Sequence, residues 1–61
     1  MTKLHEVPNK TWVELEEGRK IFYDHLEGVY GYCIEIGGGI SRYHGNLDVK
    51  ISEDQPGAPQ K

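Results

Sequence analysis

One thiol, three imidazoles and ten carboxylates are the groups in this chain that could do chemistry, and their spacing decides whether any of them does. Cys33, His44 and Asp48 supply, on paper, a nucleophile, a base and a group to orient the base. Such a set is announced in sequence by a local device such as a nucleophile elbow, and none surrounds Cys33. The flanking Tyr32 and Ile34 belong instead to an alternating apolar run, where a cysteine is a small hydrophobe or an interface thiol. His5, His25, His44 and Cys33 are scattered singly, whereas structural zinc ligands come in pairs about two to four residues apart. No metal and no cofactor is expected, and the histidines read as solvated or core-edge residues.

Gly37-Gly38-Gly39 invites a phosphate loop, because backbone N–H groups in a glycine-rich turn can cradle an anion. A P-loop also needs a lysine followed by serine or threonine opening a helix, and here Ile40-Ser41-Arg42 opens a strand. The glycines therefore read as a hairpin hinge. Glu16-Glu17 and Glu53-Asp54 fall in a turn and a tail, where carboxylates are simply solvated. The expectation is a protein that is not an enzyme.

Size points the same way. A chain of 61 residues buries only about 60% of the surface that its unfolded form exposes, so a deep pocket with full supporting contacts is hard to build. Below roughly 70 to 80 residues a disulfide, a metal or a partner chain often supplements the core. Cys33 is the only cysteine, so no disulfide forms within the chain, and a lone thiol suits a reducing, cytoplasmic setting. The N-terminus lacks an apolar leader, and no run approaches the roughly 20 apolar residues that span a bilayer; the chain reads as mature and soluble, with no membrane partner. Its net charge of -3 supplies no general attraction for nucleic acid.

Residues 1–10 read as a flexible arm carrying only Leu4 and Val7 before the Pro8-Asn9 turn. Strands are expected at Thr11–Leu15, Lys20–Leu26, Val29–Ile36, Ile40–His44 and Leu47–Ser52, separated by turns at Gly18, Gly28, the three glycines and Gly45-Asn46. In the third strand Tyr30, Tyr32, Ile34 and Ile36 share the face expected to be core, and in the last Leu47, Val49 and Ile51 point one way. Residues 53–61 are polar and rich in Pro and Gly, and read as a disordered tail. The fold class is all-β, a small antiparallel meander or five-stranded small barrel over 11–52.

An α+β alternative places one helix at 11–27 on a three-stranded sheet. Trp12, Leu15, Arg19, Phe22 and Leu26 do fall at helical spacing, with Thr11 and Glu14 as a capping box and Gly28 after the end. Gly18 at its centre costs about 1 kcal/mol against alanine, and Ile21-Phe22-Tyr23 prefers a pleated surface.

Trp12, Phe22, Tyr23, Tyr30, Tyr32 and Tyr43 are many aromatics for so short a chain, more than a one-sided sheet buries. With Arg42 they form the expected partner-binding set, since Tyr, Trp and Arg are enriched at binding hot spots. The function expected is binding another protein, as an accessory subunit or a small regulator or inhibitor, including one encoded by a phage. The alternative is a nucleic-acid-binding small barrel in which Tyr30, Tyr32, Tyr43 and Trp12 stack bases and Arg42, Lys50, Arg19 and Lys20 track phosphates. A homo-oligomer formed through a sheet edge is the third possibility.

Overall fold

Alternation and turn chemistry become strands where the pattern places them. The structure, a computed structural model, describes residues 2–57. Strands β1 (Thr2–Lys3), β2 (Thr11–Glu14), β3 (Lys20–Glu27), β4 (Tyr30–Glu35), β5 (Ile40–His44) and β6 (Asp48–Ile51) form one antiparallel sheet, and a 3-10 turn at Leu4–Glu6 follows β1. β2 to β5 make a meander, β6 returns to the free side of β2, and β1 adds outside β6, giving the order β1-β6-β2-β3-β4-β5. The chain is thus all-β, a small antiparallel meander bent toward a barrel.

The bend follows from chain length. Residues 45–47 join β5 to β6, although β2, β3 and β4 lie between those two strands. Four strand spacings would separate them by about 19 Å in a flat sheet. From His44 to Asp48 the chain reaches at most about 14 Å, so the sheet must curl. Backbone bonds hold the curled end together: Gly45 N–H donates to Val29 O (2.8 Å), His5 N–H to Gly45 O (2.9 Å) and Leu4 N–H to Leu47 O (2.9 Å).

No helix forms at 11–27. That stretch is a hairpin in which Trp12 pairs with Phe22 and Val13 with Ile21. Its loop is closed by Leu15 N–H donating to Arg19 O (2.7 Å), with Gly18 at φ 93°, a value foreign to a helix interior. Ile21, Phe22 and Tyr23 are all buried, which a helix with one apolar stripe cannot achieve but a strand covered on both faces can.

The inner face carries Leu4, Val7, Val13, Leu15, Ile21, Tyr23, Cys33 and Val49, with Tyr43 and Leu47 packed against them. Two expectations are corrected here. The N-terminal segment is no flexible arm: Thr2 and Lys3 pair with Val49 and Asp48, and Leu4 is 0% exposed. Met1 lies outside the described residues. The second correction concerns β4, which turns Gly31 and Cys33 into the core and Glu35, opposite Ile21, to the rim of the same face, while Tyr30, Tyr32 and Ile34 face outward. The reason is space. A Cβ at Gly31 would sit 2.6 Å from Leu4 Cδ2 and 2.9 Å from Tyr23 Cε1, so the interior accepts β4 only along its small-residue side.

Residues 53–57 also depart from the expected disordered tail. They are tied to Trp12 through Gln55 and Gly57, and the remainder of the expected tail, 58–61, lies outside the described residues. One irregularity matters for the outer face. Tyr23 stands opposite Cys33 and His25 opposite Tyr32, so Asp24 is an extra, bulged residue, and its carbonyl accepts from Lys10 N–H (3.1 Å).

Gly31→Ala should destabilise the fold by about 1–3 kcal/mol through overpacking. For a domain this small each kcal/mol lowers Tm by roughly 4–8 °C, which a thermal melt resolves. Leu4→Ala, costing about 2–5 kcal/mol alone, should partly relieve the Gly31→Ala penalty. Strict additivity in the double variant would show that the two side chains do not compete for one space.

Candidate partner-binding face

Cross-strand pairing sets out the outer face in rows. Trp12, Phe22, Ile34 and Ile40 make one; His25, Tyr32 and Arg42 the next; Glu27, Tyr30 and His44 the third. The bulge at Asp24 creates the middle row. In unbroken alternation His25 would follow Tyr23 to the inside; the extra residue turns it outward beside Tyr32.

The first row is covered at its Trp12 end. Trp12 and Phe22 pack edge to face at 5.5 Å between ring centres, and residues 52–57 lie along Trp12. Trp12 N–H donates to Gln55 Oε1 (2.7 Å), and Trp12 O accepts from both Gln55 Nε2 (3.0 Å) and Ser52 N–H (3.0 Å), so the side-chain amide shares with the end of β6 the work of a paired strand residue. The indole Nε1–H donates to Gly57 O (2.7 Å). Trp12 and Phe22 are left 7% and 2% exposed.

Expected binding residues therefore divide. Trp12 and Phe22 are packing residues under the C-terminal segment, and Tyr23 is a core residue, so none of the three offers a surface. Tyr43 lies on the inner side, half-buried, its hydroxyl accepting from Arg19 Nη2 at 2.5 Å. Tyr30, Tyr32 and Arg42 stand together on the open part of the outer face. His25, His44, Ile40 and Glu27 join them, and none of these four was in the expected set.

Their geometry is ordered. The His25 ring stacks on Tyr32 at 5.0 Å and 17°, and the Arg42 guanidinium carbon lies 5.6 Å from the Tyr32 ring centre on the other neighbouring strand. Glu27 places one carboxylate oxygen 3.5 Å from His25 Nε2 and the other 3.8 Å from Arg42 Nε. Tyr30 and His44 meet edge to face at 5.7 Å. Tyr30 is 49% exposed and Ile40 45%, large side chains left in water at the edge of the sheet. Where β5 ends, a cavity of about 290 Å³ opens between Leu26, Val29, His5 and His44.

Hydrogen bonding to Asp24 (2.6 Å) holds the proton on His25 above the ordinary imidazole range; it outweighs desolvation, and Glu27 adds to it. Cys33 is the opposite case. Its buried thiol, directed at Gly31 O (3.6 Å), is pushed up to about 11 by desolvation, with Glu35 contributing. Cys33 points inward and His44 outward from the same sheet, while Asp48 is bound to Lys3 at 2.8 Å, so the paper triad is dispersed. The three glycines are a hairpin loop: Glu35 N–H donates to Gly39 O (2.7 Å) and Gly38 N–H to Glu35 O (2.9 Å). Among the described residues no three His, Cys, Asp or Glu side chains are grouped to hold a metal, and no helix is long and apolar enough to cross a membrane.

One sequence signal could have placed the outer face correctly. A glycine inside a strand often marks close approach of another group, and Gly31 between two tyrosines does so here. The bulge at Asp24 has no comparable signature. No family model, characterised protein or solved structure matches the chain.

Two measurements check these environments. NMR titration should place His25 above the usual value of 6.5, and Asp24→Asn should bring it back toward that value. Because folding raises the proton affinity of His25, its contribution to stability is complete below the unfolded value and is lost as pH rises through the folded one; stability should fall across that window in wild type and less so in Asp24→Asn. Separately, Cys33 should react with a thiol reagent only as fast as the protein unfolds, whereas rapid labelling without denaturant would mean the thiol is not enclosed.

Proposed function

We propose that this chain is a small binding module with no chemistry of its own, acting through protein–protein contacts as an accessory subunit or as a regulator or inhibitor of a larger complex. One observation supports this above all: Tyr32 stands on the solvent side of the sheet with the His25 ring on one flank and the Arg42 guanidinium on the other. Rings held in place before a partner arrives avoid much of the ordering cost of binding, about 0.5–1.5 kcal/mol per side chain. Tyr30 and Ile40 extend the row with apolar area, and Glu27 supplies a polar margin.

A single-stranded nucleic acid would use the same rings but would also need cations free to displace counterions. Here Arg19 faces Glu35, Lys3 faces Asp48, and Glu14 stands opposite both Lys20 and Lys50 in the ladders, so among the described residues Arg42, met by Glu27 only through Nε, is the one cation of the outer rows with open nitrogens. A protein partner is the better match to this neutralised surface. The lone buried thiol suits a reducing, cytoplasmic compartment.

Affinity capture with tagged wild-type protein, Tyr32→Ala and Trp12→Ala separates surface from scaffold. Tyr32→Ala should lose a captured protein by roughly 30-fold, the size of a hot-spot residue, with Tm almost unchanged. Trp12→Ala should instead lower Tm. Retention of the same partner by Tyr32→Ala would remove this face from consideration. Single-stranded oligonucleotides should leave tyrosine and tryptophan fluorescence unchanged at low salt; quenching that fades as salt rises would favour the nucleic-acid alternative.

A further inference from the structure

β5 is the last strand of the sheet, and its hydrogen-bonding phase can be derived. Glu35 N–H donates to Gly39 O at one end of the β4–β5 ladder, and Gly45 N–H donates to Val29 O at the other. Antiparallel ladders alternate bonded and non-bonded pairs. The bonded pairs between these ends are therefore Cys33 with Ser41 and Gly31 with Tyr43. It follows that the backbone groups of Ile40, Arg42 and His44 point away from β4. Among the described residues no other hydrogen bond takes up the N–H or C=O of Ile40 or Arg42, or the N–H of His44; His44 O alone is used, by Leu47 N–H at 3.0 Å.

The same three residues carry their side chains on the outer face, beside Ile34, Tyr32 and Tyr30. The free backbone edge and the ordered aromatic row thus share one strand, and the 290 Å³ cavity opens past its His44 end, between the β3–β4 turn and His5. Backbone pairing supplies affinity and alternate side chains supply specificity when a peptide joins a sheet edge.

We infer that β5 is a strand-addition site for an extended segment of a partner protein, which pairs antiparallel with Ile40–His44, sets a carboxylate opposite Arg42 and seats an apolar side chain in the cavity beyond His44. This rests on the outer face being the docking surface and adds the partner's chemistry. A second copy of this chain is the poorer occupant. The two-fold register that uses all three outward residues sets Arg42 directly against Arg42 of the other copy, and like charges opposite one another are destabilising. Registers shifted by one bonded pair on either side lose part of the ladder. Arg42 meets Glu27 only through Nε at 3.8 Å, and its terminal nitrogens donate to no group among the described residues, so they are open to a carboxylate.

Peptides selected from a random library against the immobilised protein, followed by amide exchange on the complex, test this. Selected peptides should carry Asp or Glu at a fixed distance from an apolar residue. On binding, the Arg42 and His44 amides, fast in the free protein, should slow by about tenfold or more, while Ser41 and Tyr43, already bonded to β4, change little. Arg42→Glu should weaken binding by about tenfold, and a peptide with lysine in place of its acid should restore it. A bound peptide that leaves the Arg42 and His44 amides fast overturns strand addition; if Tyr32→Ala still abolishes its binding, the outer face survives as the docking surface. If Tyr32→Ala is also without effect, both fail. Absence of any selected peptide, or protection of these amides by dimerisation alone, likewise overturns the proposal.

Discussion

Space inside the curled sheet is the constraint on which the rest depends. A three-residue link between β5 and β6 forces the curl, and the curl leaves an interior that cannot hold a large side chain from every strand. Leu4, Ile21 and Tyr23 fill it, so in its middle β4 can present only Gly31 and Cys33 inward, with Glu35 at the rim of the same face beside Ser41. A strand with small residues on one face must carry its bulk on the other. Tyr30, Tyr32 and Ile34 are outside because the core has no room for them, and the exposed aromatic row is thus a by-product of close packing that a binding surface can use.

What becomes of the outer face then differs along its rows. At the Trp12 end, the C-terminal segment covers the rings: Gln55 accepts from Trp12 N–H, and Trp12 O accepts from both Gln55 Nε2 and the Ser52 N–H just past β6. At the Tyr32 end no segment among the described residues covers the rings, but the bulge at Asp24 brings His25 across to stack on Tyr32 and puts the Asp24 carboxylate within hydrogen-bonding distance of His25 Nδ1. One half of the face is therefore a second small core, and the other is an ordered surface.

Local rules made the strands and turns readable, and long-range rules hid the faces. Gly18, Gly28 and the three glycines mark the hairpin turns, and Gly45 marks the link from β5 to β6, because turn geometry is a property of a few adjacent residues. Alternation in Val29–Ile36 identifies a strand with two distinct faces but carries no sign, so the choice of core face went to the larger side chains. The deciding contact, Leu4 and Tyr23 against Gly31, joins three parts of the chain and has no local signature. The same holds for Leu4 itself, an isolated apolar residue in a polar stretch that becomes fully buried because β1 finds β6. Of the expected binding residues, Tyr30, Tyr32 and Arg42 were legible as members of alternating strands, whereas the fate of Trp12 was decided by Gln55, 43 positions away.

An uncovered edge strand is a hazard in a small β protein, because its free backbone groups accept any passing strand. β5 handles this with one residue. Arg42 stands at the middle of the five-residue strand, where a second copy in full register would bring an identical charge against it. Such a guard is selective by its nature: it raises the cost of self-pairing and lowers that of pairing with an acidic strand. Glu27 moderates the charge from the side without occupying the terminal nitrogens, and Tyr32 holds the guanidinium over its ring. The feature that keeps the free edge from joining its own kind is therefore also the one that specifies what it can join.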